Sequence, residues 1–244
     1  SHKTNQRLER KIKYYKTPSL DSIVVFYRPH QCPIKNNSDI LSNMVTFYLV
    51  RHGQKETIMG DPPLSQIGRK QAEYTGKFLK DKKIERIYSS PFKRAKETAT
   101  IISRELNLDV NFDDRLRERM NWGDKEEETF EEFLQEWQKT DLNRDYQPVH
   151  GYSSRESGQK LESFLHETSK DMTKDVVLVI THGGIIGDLL RNVFPEKDVP
   201  LMTNTTSKAR YVEVLECSVT TLKKDNKLIL GKINDVSHLP EPLI

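Results

Sequence analysis

The chain has 244 residues, 35% hydrophobic and 31% charged, enough for one sizeable α/β domain with a small extra segment. No run approaches the roughly 20 apolar residues of a membrane span, so a membrane partner is not expected. The net charge of +3 is uneven: residues 1–43 carry eight Lys/Arg against three Asp/Glu, the rest 31 against 33, so the body is not a nucleic-acid surface by charge. Cys32 and Cys217 lie far apart, form no metal-ligand cluster, and read as reduced thiols of a cytoplasmic protein. The basic N-terminus lacks the apolar stretch and cleavage site of a secretory signal.

In chain order, Gln6–Lys16 reads as a charged, weakly helical stretch, and Ser22–Tyr27 as a short strand stopped by Pro29 and Pro33. The polar stretch Pro33–Asn43 reads as a linker, which sets a domain boundary near Met44: a partly flexible basic extension over 1–43, then a catalytic domain over 44–244. Val45–Arg51 is a continuous apolar strand. A helix is expected from Ser65 to about Asp81, a strand at Glu85–Ser89, and a helix at Pro91–Leu106 with Pro91 near its first turn. The polar and aromatic middle section carries helical patterning at Phe130–Trp137 and Glu156–Ser169. Val176–Thr181 is a second apolar strand, followed by a helix at Gly183–Val193 that Pro195 ends; Ala209–Glu216 and Lys227–Ile233 read as late strands. Strands alternating with helices predict a three-layer α/β/α sandwich around a mostly parallel sheet.

Ligands of such sheets bind beyond the carboxyl ends of the strands. Two strand ends here carry His followed by Gly: Arg51-His52-Gly53, and Thr181-His182-Gly183-Gly184. The glycines permit close approach of backbone to ligand, and Gly183 opens a helix, where N–H groups favour anions. A third strand end, Ser89-Ser90-Pro91, puts Arg94 in the first turn of a helix at the same edge. Arg51 and Arg94 can each fork onto phosphate oxygens. A charge as deep in a strand as Arg51 must meet an anion, either a ligand or an internal salt bridge. His2, His30, His150, His166 and His238 stand alone and read as structural or surface residues.

These motifs resemble the histidine phosphatase superfamily, also called phosphoglycerate-mutase-like. The resemblance rests on Arg51-His52-Gly53, on Pro63 to Ala72, on Ser89 to Ala99, and on His182-Gly183-Gly184, and covers about residues 45 to 216. It implies that His52 attacks phosphorus and becomes phosphorylated, while Arg51, Arg94 and His182 hold the phosphoryl oxygens, with Gly183 at the substrate. His52 must then be neutral on the attacking nitrogen, with its other nitrogen donating to a backbone carbonyl. It also implies a carboxylic acid that protonates the leaving alkoxide, assigned to Glu118 in Leu116–Gly123, with Asp114, Asp124 and Glu126 as competitors. The alternative for Glu118 is a surface carboxylate paired with Arg115 or Arg119. A cap over about 119–158 is implied, with Arg119, Asn121, Trp122, Arg144, Tyr146 and Tyr152 as candidates to shape a pocket; Trp122 and Tyr146 also read as packing residues.

Two departures stand out. Many relatives carry a small hydroxyl residue and then an Asn shortly after the first motif; here Lys55 and Glu56-Thr57-Ile58-Met59 follow, so Lys55 either meets phosphate or faces solvent. The segment Gly151–Ser157 is altered, and no ligand role is carried to it. The Arg-His-Tyr-rich acid segment of the family's mutases is missing, which favours hydrolysis of a small phosphorylated metabolite over phosphoryl transfer. A phosphoglycerate-type mutase and an inactive phosphate- or phosphopeptide-binding module are the other readings. No cofactor or metal is implied, because the arginines supply the electrostatics.

Overall fold

The computed structural model describes residues 44–205 and 207–244. The expected elements at Gln6–Lys16, Ser22–Tyr27 and Pro33–Asn43 lie outside the described residues. Among the described residues, strands β1 (Val45–Arg51), β2 (Arg86–Ser89), β3 (Val110–Phe112), β4 (Val176–Thr181), β7 (Val219–Lys224) and β8 (Leu228–Leu230) form one sheet in the order β3-β2-β4-β1-β7-β8. The pairs from β3 to β1 are parallel; β7 and β8 join antiparallel at the other edge. The predicted α/β architecture with a mostly parallel sheet is what forms.

Side chains along β1 and β4 alternate between two helical layers, as the two-residue period of a strand requires. Val50, Leu178 and Ile180 pack with Ala95, Ala99 and Ile102 of α2 (Lys93–Leu106), which lies beside α1 (Gln66–Leu79). Phe47, Leu49, Val177 and Val179 pack with Leu161, Phe164 and Leu189 of the paired helices α4 (Ser154–Thr168) and α5 (Gly183–Val193). Each Val, Leu, Ile or Phe side chain of these strands contributes about 1.5–3 kcal/mol when fully buried, so the two central strands anchor the fold. Because the layers present different partners, a one-residue slip of β1 would misfit both, and the register is fixed.

The helix starts show local chemistry. Ser65 caps α1, its hydroxyl accepting from Gly68 N at 3.1 Å. Helix α2 begins at Lys93, two residues later than Pro91 suggested, because the carboxylate of Asp61 accepts from Lys93 N at 2.9 Å and caps the helix from another loop. Helix α3 (Phe130–Leu142) is opened by a capping box between Thr129 and Glu132 and runs past Trp137.

The expected strand over Ala209–Glu216 forms only as β6 (Arg210–Val212), paired with β5 (Leu201–Thr203) outside the central sheet. Beyond it the chain serves Arg51: Val214 O accepts from its guanidinium and Cys217 N donates to its carbonyl. The chain then turns at Cys217, with φ of 53°, and returns as β7, a strand not anticipated because Thr220, Thr221, Lys223 and Lys224 make four of its six residues polar. Among the described residues no helix is long and apolar enough to cross a membrane.

Candidate active site

The β1–β4 register sets the two His-Gly strand ends side by side. Arg51 pairs with Thr181, so His52 and His182 follow at one level, and His52 N donates to Thr181 O at 2.9 Å. Their rings meet edge to face with centroids 5.1 Å apart. On the far side of β4, Ser90 N donates to Ile180 O at 2.9 Å, bringing the Ser-Ser-Pro strand end to the same edge.

His52 is buried, at 4% exposure. Its Nδ1 lies 2.7 Å from the carbonyl of Gly53, which can only accept, so Nδ1 carries the proton and Nε2 the lone pair. Arg94 Nε donates to that Nε2 at 3.2 Å. Burial, then the charges of Arg94 and Arg51, hold the imidazole pKa well below its usual 6.5, so the ring is neutral. The tautomer expected of a nucleophile is in place.

His182 is fully buried and also neutral, its pKa pushed well down by burial and then by Arg94. Its Nε2 lies 2.8 Å from Ser90 Oγ. Ser90 Oγ accepts from Phe92 N at 3.4 Å, so its own hydrogen is free to go to Nε2. When the Ser90 hydroxyl donates to Nε2, the His182 proton sits on Nδ1, a buried atom with no partner among the described residues. A buried donor left unpaired is costly unless a ligand oxygen completes it.

Arg94, at 3% exposure, is held from three sides. Its Nε meets His52, its Nη1 donates to Asn121 Oδ1 at 3.2 Å, and Asp61 lies 3.7 Å away. Arg51 lines the same cleft, while its guanidinium donates to Val214 O at 2.6 Å and Glu216 Oε1 at 3.4 Å. The internal salt bridge left open by the sequence is therefore present, alongside exposure to the cleft. Gly183 has its α-carbon against the Arg51 side chain; an added Cβ would sit 3.2 Å from Arg51 Cδ. Lys55 lines the cleft too, its amine pKa lowered by burial and then by Arg94 and Arg51.

Glu118 caps helix α5. Its Oε2 accepts from Gly184 N at 2.9 Å, and its Oε1 accepts from Ile185 N and Arg119 N, both at 3.0 Å. These donors and the Arg119 charge favour the carboxylate, but burial outweighs them and raises the pKa above the ordinary value. It is not the surface carboxylate of the alternative reading: Arg115 pairs with Asp113 and Glu167 instead. Asp114, Asp124 and Glu126 are exposed and none lines the cleft that holds His52. Glu118 does line it.

The cleft has a volume of about 440 Å³. Of the six residues suspected of shaping it, Arg119, Asn121 and Trp122 line it; Arg144, Tyr146 and Tyr152 do not. Arg144 instead ties α4 to α5 through Ser154 Oγ and the carbonyls of Asp188 and Arg191. The Arg119 guanidinium, at 2% exposure, donates to Asp188 at 2.9 Å and Asp141 at 2.6 Å and stacks 3.8 Å from the Trp137 ring centroid. Sequence reasoning missed Asn121 as the partner of Arg94, Asp61 as the cap of its helix, Ser90 as the partner of His182, and Asp188. Only Ser90, within a quoted motif at a strand end, carried a usable signal. Among the described residues, no three His, Cys, Asp or Glu side chains converge to hold a metal ion.

Comparison with known proteins agrees with this geometry. The chain is 28% identical over 220 residues to a probable phosphoglycerate mutase, GpmB, of Shigella boydii, covering 82% of this chain and 98% of that one. It is 34% identical over 155 residues to the putative phosphoserine phosphatase 2 of Hydrogenobacter thermophilus, covering 59% and 75%. Among solved structures, YhfR of Bacillus stearothermophilus superposes with a TM-score of 0.59 at 26% identity, over 80% of this chain and 98% of that one. The profile of the histidine phosphatase superfamily, branch 1, matches residues 47–227, and the chain belongs to that superfamily.

Proposed function

We propose that the chain is a phosphoric monoester hydrolase that works through a phosphohistidine on His52 and acts on a small phosphorylated metabolite. The observation that carries this is the His52 tautomer: Gly53 O fixes the proton on Nδ1, leaving the Nε2 lone pair beside the Arg94 guanidinium. Nε2 attacks phosphorus as the bond to the leaving oxygen breaks. Arg51, Arg94, Lys55 and the Nδ1–H of His182 take the phosphoryl oxygens as charge develops. Glu118, whose pKa burial raises, gives its proton to the leaving alkoxide. The resulting carboxylate then takes a proton from water, whose oxygen displaces His52 from phosphorus and yields inorganic phosphate.

The relatives include a named mutase and a named phosphatase, so transfer is the second reading. Hydrolysis is favoured by the segment after Glu118. Arg119, the cation best placed to retain a second anionic group, is already matched by Asp141 and Asp188. Incubation with 3-phosphoglycerate, followed by product analysis, decides. Free phosphate is expected; 2-phosphoglycerate without free phosphate would establish the mutase.

A further inference from the structure

The half of the cleft that faces away from the phosphoryl cations is built largely of apolar side chains. Helix α3 presents Phe130, Phe133 and Trp137 in sequence, at spacings of three and four residues that keep one helical face. Their rings form a ladder: Phe130 to Phe133 at 6.2 Å, and Phe133 to Trp137 at 5.9 Å between centroids. Trp122 joins it edge to face with Phe130 at 5.0 Å, and Ile58 faces the same space. Phe130 is 49% exposed and Ile58 is 54% exposed, so this wall is open to a ligand rather than closed as core.

Charge in that half points the same way. The two guanidiniums there, Arg119 and Arg191, are accompanied by three carboxylates, Asp141, Asp188 and Glu213. Arg119 is bonded to two of them. A carboxylate on the leaving group would thus meet no net positive charge and would have to give up its water. At the phosphoryl end three cations, Arg51, Arg94 and Lys55, line the cleft against one carboxylate, Glu118.

We infer that the leaving group is neutral and apolar: the enzyme prefers phosphomonoesters of aliphatic or aromatic alcohols to those of hydroxy acids and amino acids. This rests on the hydrolase reading above and goes beyond it in naming the chemistry of the alcohol. The aromatic ladder removes the alcohol from water while Arg51, Arg94 and Lys55 hold the dianion. A volume of about 440 Å³ admits a six-carbon chain or a fused ring system beside a phosphoryl group.

The test compares esters whose leaving alkoxides are similarly basic: hexyl phosphate, methyl phosphate, phosphoserine and 3-phosphoglycerate, with p-nitrophenyl phosphate as an activated reporter. The expected result is a kcat/KM for hexyl phosphate about tenfold or more above that for methyl phosphate and for both charged esters. Phe130→Ala, on an exposed residue, is expected to reduce the hexyl-to-methyl ratio several-fold. If p-nitrophenyl phosphate is hydrolysed but phosphoserine or 3-phosphoglycerate equals or exceeds hexyl phosphate, the apolar assignment is wrong and the hydrolase reading survives. An unchanged ratio in Phe130→Ala would likewise overturn it. If no ester releases phosphate, p-nitrophenyl phosphate included, both readings fall.

Discussion

The two halves of the cleft are built by different means. The half proposed to hold the phosphoryl group hangs on backbone: strand ends, one register, and hydrogen bonds from His52 Nδ1 to Gly53 O and from the α5 amides to Glu118. The half proposed for the leaving group hangs on side chains of one short helix and the loop before it, stacked on one another and on Arg119. Backbone positioning tolerates little change and suits a reaction that every substrate shares. Side-chain packing can be exchanged residue by residue and suits the part that differs between substrates.

Predictions that probe this contrast run from the nucleophile outward. His52→Ala is expected to lower phosphate release by about 10,000-fold or more and to abolish acid-labile phosphoryl labelling of the protein; comparable turnover in the variant would remove His52 as nucleophile. Glu118→Gln should cost roughly 100- to 1,000-fold on alkyl esters. On p-nitrophenyl phosphate, whose leaving group needs no proton, it should cost far less, and an equal loss on both would contradict the acid role. The pH profile carries a sign. Because the Glu118 pKa is raised, activity on alkyl esters falls as pH rises through that raised value. Because the His52 pKa is lowered, the acidic limb lies well below 6.5. An acidic limb at or above 6.5 would refute the tautomer argument.

In the other half, Arg119→Met leaves Asp188 and Asp141 buried without their cation, and should cost about 3–5 kcal/mol of unfolding free energy in a urea titration. A loss below about 1 kcal/mol would mean that the cluster does not hold α3 against α5. The smallest effect is expected at Ser90→Ala, which removes the partner of His182 Nε2 without touching substrate. It should lower kcat by roughly tenfold with little change in KM. Asparagine at the same position would restore part of kcat if the hydrogen bond is what matters.

The same contrast explains what could be read in advance. The placement of His52, His182, Arg51 and Arg94 at one edge was legible because each sits at a strand end or first helical turn, where local sequence fixes position. Glu118 was legible by resemblance, but its three backbone donors were not, since two of them lie 66 and 67 residues away. Asp61 capping α2 and Asn121 holding Arg94 are likewise contacts across 32 and 27 residues, which no local pattern announces. Strand β7 escaped notice because only two of its six residues, Val219 and Leu222, are apolar; antiparallel pairing with β1 settles its conformation, not propensity. Arg119 drew attention as a pocket residue, and its burial between two carboxylates could not have been foreseen from neighbours in sequence.

The bond from His52 N to Thr181 O has a consequence for how the protein comes to life. The backbone of His52, the proposed nucleophile, is the last rung of the β1–β4 ladder, so its imidazole cannot be set in place ahead of the pairing of two segments about 130 residues apart. During refolding, the first turnover would therefore report closure of the longest-range parallel strand pair among the described residues, and the substrate would serve as a reporter of topology.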